Sequence, residues 1–421
     1  MNLLRALVVH RRMMAAQWLD PARLRSLRER KLALLLRGAY DNVPYYRRLF
    51  DEARLRPDDV RSTDDLVRLP VTTKAQLQQL PLDALLDRRA PRRSLRSERS
   101  SGSTGRPFEV FYDAAFHTTR RLLFLRGLRA AGYRPGERVL LVTAPGSGRR
   151  SRPLPGWHYL SFHEPPERLA ERFARLRPHR LYGCVTPLRL MAEQLGGRQR
   201  TGWTPRGVVT TAETLDKPTR TLLEEAFRCP VFDFYGLTEM GLVASECARR
   251  QGRHVAEDVF VVEEVPVESG EGLRRLVVTN LESRAMPFIR FDTGDAGRLA
   301  PAERCSCGRT FTLLARVEGR VADCVRLMDG RIVAPYALTC ALEAVAGLHR
   351  FRIVQRDRDR FLVEVQRTRA AGTAGDEDIR GALRRVLGPE AAIDVASAEK
   401  LDPPPGKKFR VVQSELAEGR P

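Results

Sequence analysis

The chain has 421 residues, 43% of them hydrophobic and 30% charged, with a formal net charge of +21. That length is ample for a large core and for two or three domains, and no run approaches the roughly 20 apolar residues of a membrane span. Only six of the 73 basic residues are lysine; the arginines are scattered, with no pattern of a nucleic-acid-binding module, and such a basic surface suits polyphosphate ligands.

Residues 1–40 carry leucines and arginines at helical spacing. The apolar run Leu3–Val9 is interrupted by Arg5 and no small-residue cleavage site follows, so a helix packed on the body is expected and not a signal peptide. Asp41 to Phe50 begins as a turn and continues as a short helix, and Ser62-Thr-Asp-Asp65 offers a helix cap. A long helix is expected over 114–131, then a turn at Gly132–Gly136 and a buried strand at Val139–Thr143. Helices at 165–177, 186–196 and 216–227 alternate with strands at 180–184, 207–211 and 230–234. This alternation predicts an α/β fold with a mostly parallel sheet. After Gly236 the apolar runs Val259–Val265, Leu273–Thr279 and Phe288–Asp292 predict a more antiparallel, barrel-like section. Beyond Gly319 about 100 residues carry their own elements (Phe351–Val354, Phe361–Val365, Asp376–Leu387), enough for a small α+β domain. The expected division is a large domain of residues 1–320 and a small mobile one of residues 321–421.

Five segments carry chemistry. Ser100-Ser101-Gly102-Ser103-Thr104-Gly105-Arg106 offers hydroxyls, backbone N–H groups and a guanidinium to phosphate, although its spacing is not that of a Walker loop; the plain alternative is a linker. Phe234-Tyr235-Gly236-Leu237-Thr238-Glu239-Met240-Gly241 follows a strand at the ligand edge of an α/β sheet, where a carboxylate suits a Mg²⁺ held mainly by phosphates. Arg290-Phe-Asp-Thr-Gly-Asp295 places a carboxylate for ribose hydroxyls. Gly319-Arg320 opens the small domain, and Gly406-Lys407-Lys408 carries the only paired lysines.

The order of these segments resembles the adenylate-forming superfamily, and within it the phenylacetate–coenzyme A ligase and CapK-like family. Asn42-Val-Pro-Tyr-Tyr46, Leu69-Pro-Val-Thr-Thr-Lys74 and Cys305-Ser-Cys-Gly-Arg309 add to the narrower likeness. It spans about residues 35 to 415. The resemblance implies that ATP activates a small-molecule carboxylic acid as an acyl-adenylate, with release of pyrophosphate, before transfer to a thiol such as coenzyme A. It further implies phosphate binding by 100–106, adenine lining by Thr211, Ala212 and Glu213, and flanking of adenine and carboxylate by Tyr235 and Gly236. Thr238 would meet the α-phosphate and Glu239 the Mg²⁺. Asp295 would hold the ribose, with Arg320 nearby, and a late lysine would bridge carboxylate and α-phosphate. The glycine-lysine reading selects Lys407 for that part; alignment on Lys-Phe-Arg favours Lys408. Two departures stand out. Ala322 replaces the first acidic residue of the family's hinge pattern while Asp323 keeps the second, and residues 329–343 differ from the usual coenzyme A ligase pattern.

Cys247, His254, Cys305 and Cys307 supply three thiols and one imidazole, a set that suits structural Zn²⁺ tying the 245–255 loop to the 303–310 loop; a turn with reduced thiols is the plain alternative. Cys184, Cys229, Cys324 and Cys340 read as small core residues in a cytoplasmic, reducing setting. Trp157, Tyr159 and Phe162 are placed either to shape an acyl pocket or to pack the core. Two other functions compete: adenylation with direct transfer to an amine, and a non-catalytic basic zinc protein on nucleic acid. A monomer or homodimer is expected.

Overall fold

The computed structural model describes residues 3–99, 108–143, 155–197, 202–267, 272–300, 304–367, 375–399, 401 and 409–416. The expected single helix over 1–40 is two, Leu3–Ala16 and Pro21–Asn42. The break has a local cause: Asp20 accepts a hydrogen bond from Arg23 N at 2.9 Å and Pro21 occupies the first helical position, both strong start signals. The first helix packs on the helix Ala114–Ala130. Arg126 of the latter donates to Met13 O and to both carboxylate oxygens of buried Asp258, each at 2.9 Å. Ser62–Asp65 leads only into a short 3-10 turn, Asp64–Arg68.

An antiparallel hairpin, β1 (Arg96–Arg99) with β2 (Glu109–Tyr112), flanks the Ser/Gly segment. The main sheet then contains β3 (Val139–Thr143), β4 (Trp157–Ser161), β5 (Arg180–Cys184), β6 (Gly207–Thr211), β7 (Val231–Leu237), β8 (Gly241–Glu246), β9 (Arg253–Val255), β10 (Phe260–Pro266), β11 (Arg274–Asn280), β12 (Phe291–Ala300) and β13 (Leu313–Arg320). Its order is β10-β11-β12-β13-β9-β8-β7-β6-β5-β3-β4. The half from β4 to β7 is parallel, and the half from β7 to β10 is antiparallel. The antiparallel section expected after Gly236 is therefore present and continues the parallel half edge to edge. Parallel strands read as unbroken apolar runs because both faces are covered. Helices Pro166–Leu176, Val185–Gly197 and Lys217–Phe227 bury Leu169, Phe173, Leu188, Leu223 and Phe227 on one face. Helix Ala114–Ala130 buries Leu128 on the other, against Val139, Leu141, Val209 and Phe232.

Several strands differ from expectation. The run Phe288–Asp292 is not a strand of its own; β12 starts at Phe291 and carries the Thr-Gly-Asp triplet inside it. In the main sheet β4, β8, β9 and β13 were not expected. Register shifts at Ala296/Gly297 and Arg298/Leu299 break the period-2 signal of the β12–β13 pair, since an inserted residue flips every side chain beyond it.

Residues from Val325 onward add β14 (Val325–Arg326) and β15 (Ile332–Val333), then β16 (Leu348–Gln355), β17 (Arg360–Arg367), β18 (Ala392–Ser397) and β19 (Val412–Ser414) in the order β18-β17-β16-β19. Helices Pro335–Glu343 and Asp376–Leu387 cover this sheet, and Phe361, Val363, Ile379, Leu383 and Leu342 form a core of their own. Glu343 accepts from Lys217 N at 3.0 Å, and Arg316 lies over the Tyr336 ring at 5.5 Å, so this unit rests on the main sheet's helix layer and on β13. No described helix is long and apolar enough to cross a membrane.

Candidate functional site

The carboxylate of Asp295 is held from two sides. Antiparallel register puts Asp295 opposite Arg320, and the Arg320 guanidinium reaches its Oδ1 at 2.9 Å. The Tyr235 hydroxyl, arriving from β7, donates to Oδ2 at 2.9 Å. Asp295 and Tyr235 are both buried. Burial first, then the Asp295 charge, raises the Tyr235 phenol well above its ordinary value, so it remains a donor. Gly294 has a φ of +73° and Gly319 one of +109°, the left-handed region that suits glycine. At Gly319 a Cβ would also lie 2.9 Å from Pro335 Cγ. The two glycines thus let β12 and β13 bring Asp295 and Arg320 together while the next element packs close.

Tyr235 ends the buried part of β7, and the chain turns through Gly236–Gly241 into β8. A Cβ on Gly236 would lie 2.6 Å from Gly241 O, so the turn closes only around glycine. Gly236→Ala is expected to cost about 1–3 kcal/mol through overpacking; a denaturation midpoint equal to the wild type's would contradict this. Thr238 is half-buried and Glu239 is buried. Lys74 Nζ lies 3.3 Å from Glu239 Oε1. Its position follows from local structure: Thr72 exchanges backbone bonds of 2.8 Å with Arg290 and Asp292, and Thr73 caps the short helix Lys74–Gln78. On the neighbouring strand end, Ala212 has a φ of +68° and Glu213 accepts from Thr186 N at 2.6 Å. The expected residues Ala212, Glu213, Tyr235, Gly236, Thr238, Glu239, Asp295 and Arg320 therefore lie on β12, β13 and the carboxyl ends of β6 and β7, the ligand edge of the sheet.

Ser100 to Arg106, Lys407 and Lys408 lie outside the described residues. Close to the late lysines, Arg410 forms an ion pair with Asp323 of the turn Val321–Asp323. Burial, and then the Arg320 charge, lowers the Arg410 guanidinium. Sequence reasoning gave no role to Lys74 or to Arg120. The signal for Lys74 was its rarity in an arginine-rich chain. Trp157 is core, its Nε1 3.3 Å from Tyr133 Oη, whereas Tyr159 is exposed.

Cys247, His254, Cys305 and Cys307 converge, all four ligand atoms lying within 4.8 Å of one another. Cys247 Sγ and Cys305 Sγ are 3.6 Å apart, and Cys307 Sγ is 3.4 Å from His254 Nε2. Tetrahedral Zn²⁺ bonds imply edges of about 3.8 Å and about 3.6 Å, so the set fits such an ion. Burial, then the Arg309 charge, pushes His254 down to about 4, which keeps the imidazole neutral at pH 7, the ligating form. The cluster stands past the far end of β8 from Gly241, about 17 Å along the six-residue strand. Beside it, Thr310 N and Arg309 Nε donate to Gln17 at 3.0 Å and 2.7 Å, joining this loop to the end of the first helix.

No family model matches the chain. It is 32% identical over 346 residues to a phenylacetate–coenzyme A ligase of Thermus thermophilus, covering 77% of this chain and 76% of the relative. To protein CapK of Staphylococcus aureus it is 24% identical over 284 residues, covering 63% and 62%. Among solved structures, 2-hydroxyisobutyryl-CoA ligase in the postadenylation state superimposes with a TM-score of 0.78 at 20% identity, over 95% of this chain and 92% of that one. The fold and the sequence agree: the chain belongs to the phenylacetate–coenzyme A ligase family.

Proposed function

We propose that this chain is an acid–thiol ligase that uses ATP to turn a carboxylic acid into an acyl-adenylate, releases pyrophosphate, and passes the acyl group to coenzyme A. The observation that carries this reading is the buried Asp295 carboxylate, gripped by Tyr235 and Arg320 beside the Gly236–Gly241 turn, in a chain of that family. Asp295 accepts the ribose hydroxyls, Ala212 and Glu213 line the adenine, and Ser100–Arg106 cradle the outer phosphates. Thr238 donates to the α-phosphate. Glu239 is the carboxylate that would hold Mg²⁺, with Lys74 fixing its orientation. Magnesium, when bound with ATP, neutralises phosphate charge and eases the departure of pyrophosphate.

A carboxylate oxygen of the acid forms a bond to the α-phosphorus as the bond from that phosphorus to the bridging oxygen of pyrophosphate breaks. Lys408, or its neighbour Lys407, stabilises the charge that develops between the two. The sulfur of coenzyme A then attacks the acyl carbon, AMP leaves, and the thiol proton passes to solvent. Residues 321–421 act as a small mobile domain between these steps, turning at Val321–Asp323; their separate core supports this division. Cys247, His254, Cys305 and Cys307 hold a structural Zn²⁺, and the seven free thiols suit a cytoplasmic setting.

The test is ATP–pyrophosphate exchange over a panel of aryl, fatty and amino acids. Exchange should require an acid and fall by about 100-fold or more when Lys407 and Lys408 are both changed to Ala. Exchange with no acid, in folded protein, would overturn the reading.

A further inference from the structure

Arg120 is a cation with one unused donor, beside the reaction turn. Its side chain is 14% exposed. Nη2 donates to Glu98 Oε2 at 2.7 Å, and the guanidinium lies over the Tyr112 ring at 4.6 Å. Nη1 is buried and has no hydrogen-bond partner among the described residues. A buried N–H of this kind costs free energy until an acceptor arrives. The arginine also borders the reaction turn: a Cβ on Gly241 would lie 3.0 Å from Arg120 Nε, and Gly241 closes the turn that bears Thr238 and Glu239.

The face on which Arg120 stands identifies what it meets. Phe234 and Tyr235 are successive residues of β7 and point to opposite sides of the sheet. Tyr235 reaches Asp295. Phe234 instead faces Phe124, one helical turn beyond Arg120, at 6.5 Å between ring centroids, and Phe124 meets Tyr182 at 4.8 Å. Phe124 and Tyr182 are only half-buried. Arg120 thus stands at the head of an aromatic wall, on the side of the sheet away from the carboxylate that holds the nucleotide. The local charge is positive as well, since Arg96, Arg120 and Arg121 all act on His117 with Glu98 as the one opposing acid.

We propose that Arg120 determines specificity by binding a second carboxylate, carried by the substrate acid at a distance from the carboxyl group that is activated. The acid is apolar or aromatic in its middle, to lie on Phe124 and Tyr182, and anionic at its far end. This inference rests on the adenylation reading and names the substrate class of that same site.

The experiment compares matched acids in ATP–pyrophosphate exchange: phenylacetate with its ring-carboxylated counterpart, and hexanoate with hexanedioate. Wild type and the variants Arg120→Met and Arg120→Lys are measured, with KM for ATP and for coenzyme A determined alongside. Wild type should favour the diacid of a pair by about 10-fold or more in kcat/KM, as one charge-assisted bond allows. Arg120→Met should erase the preference with KM for ATP unmoved, and Arg120→Lys should restore part of it. The wild-type comparison stands even if a variant folds poorly. Preference for monoacids in wild type would overturn the inference while leaving adenylation intact. A rise in KM for ATP or coenzyme A, with the acid ratio unchanged, would assign Arg120 to a phosphate and overturn it too. Exchange with no acid would contradict the adenylation reading itself, and the inference would fall with it.

Discussion

Replacing Asp295 with Asn is expected to lower kcat/KM for ATP in pyrophosphate exchange by about 100-fold or more while the protein still unfolds cooperatively. The carboxylate accepts from the Tyr235 hydroxyl and faces the Arg320 guanidinium, each at 2.9 Å. These contacts fix the side chain in one orientation before ligand arrives. A neutral amide keeps the shape, but it gives up the charge that strengthens bonds to two ribose hydroxyls. Hydrogen bonds to a charged group contribute about 1.5–3 kcal/mol each, and two of them account for a loss of that order. The amide also presents an N–H to the Arg320 or Tyr235 donor on one side, so part of the effect comes from loosening Arg320. Titration of ATP in steady-state exchange reads the loss, and circular dichroism during denaturation reads the fold. A loss below about threefold would mean that the ribose is held elsewhere.

Changing Cys247 to Ser is expected to remove zinc from the purified protein and to cost at least about 4 kcal/mol, the range reached when a structural metal is lost. The thermal midpoint should fall by about 5 °C or more. The reason is what the cluster connects. Cys247 follows β8, His254 lies on β9, and Cys305 and Cys307 lie on the loop before β13. That loop in turn holds Gln17 through Arg309 and Thr310. Without the ion, the thiols of Cys305 and Cys307 and the neutral imidazole of His254, 3.4 Å from Cys307 Sγ, are left together with poor partners. Elemental analysis and calorimetry check the pair of outcomes. Metal-free wild-type protein, or a variant that melts with the wild type, would contradict the assignment. Because the cluster lies past the far end of β8 from the reaction turn, activity per folded molecule should change far less than stability.

The α/β half of the fold was legible because its strands are buried on both faces and its helices have one apolar stripe. Helix Lys217–Phe227 and strands β3 and β5 to β7 follow directly from those patterns. The β12–β13 pair was not legible, since its register shifts twice and a glycine with positive φ sits inside β12. The Cys/His set could be read from ligand chemistry alone, and the fold brought its four members to one point. Tyr235 and Asp295 were readable as separate motifs; their hydrogen bond was not, because it depends on which strands the sheet places together. Arg120 was hidden for a different reason. One arginine among so many carries no signal in sequence; its Nη1 without a partner among the described residues, on a side chain that borders Gly241, sets it apart.

The central claim is that the acid becomes an acyl-adenylate, and the fate of one oxygen atom tests it. The accepted acid is labelled with oxygen-18 in its carboxylate and turned over with ATP and coenzyme A, and the products are read by mass spectrometry. Attack of the carboxylate on the α-phosphorus leaves one labelled oxygen in AMP when the thioester forms, so AMP should carry a single label and pyrophosphate none. Formation of ADP with label in inorganic phosphate would show activation as an acyl phosphate, and would contradict the account.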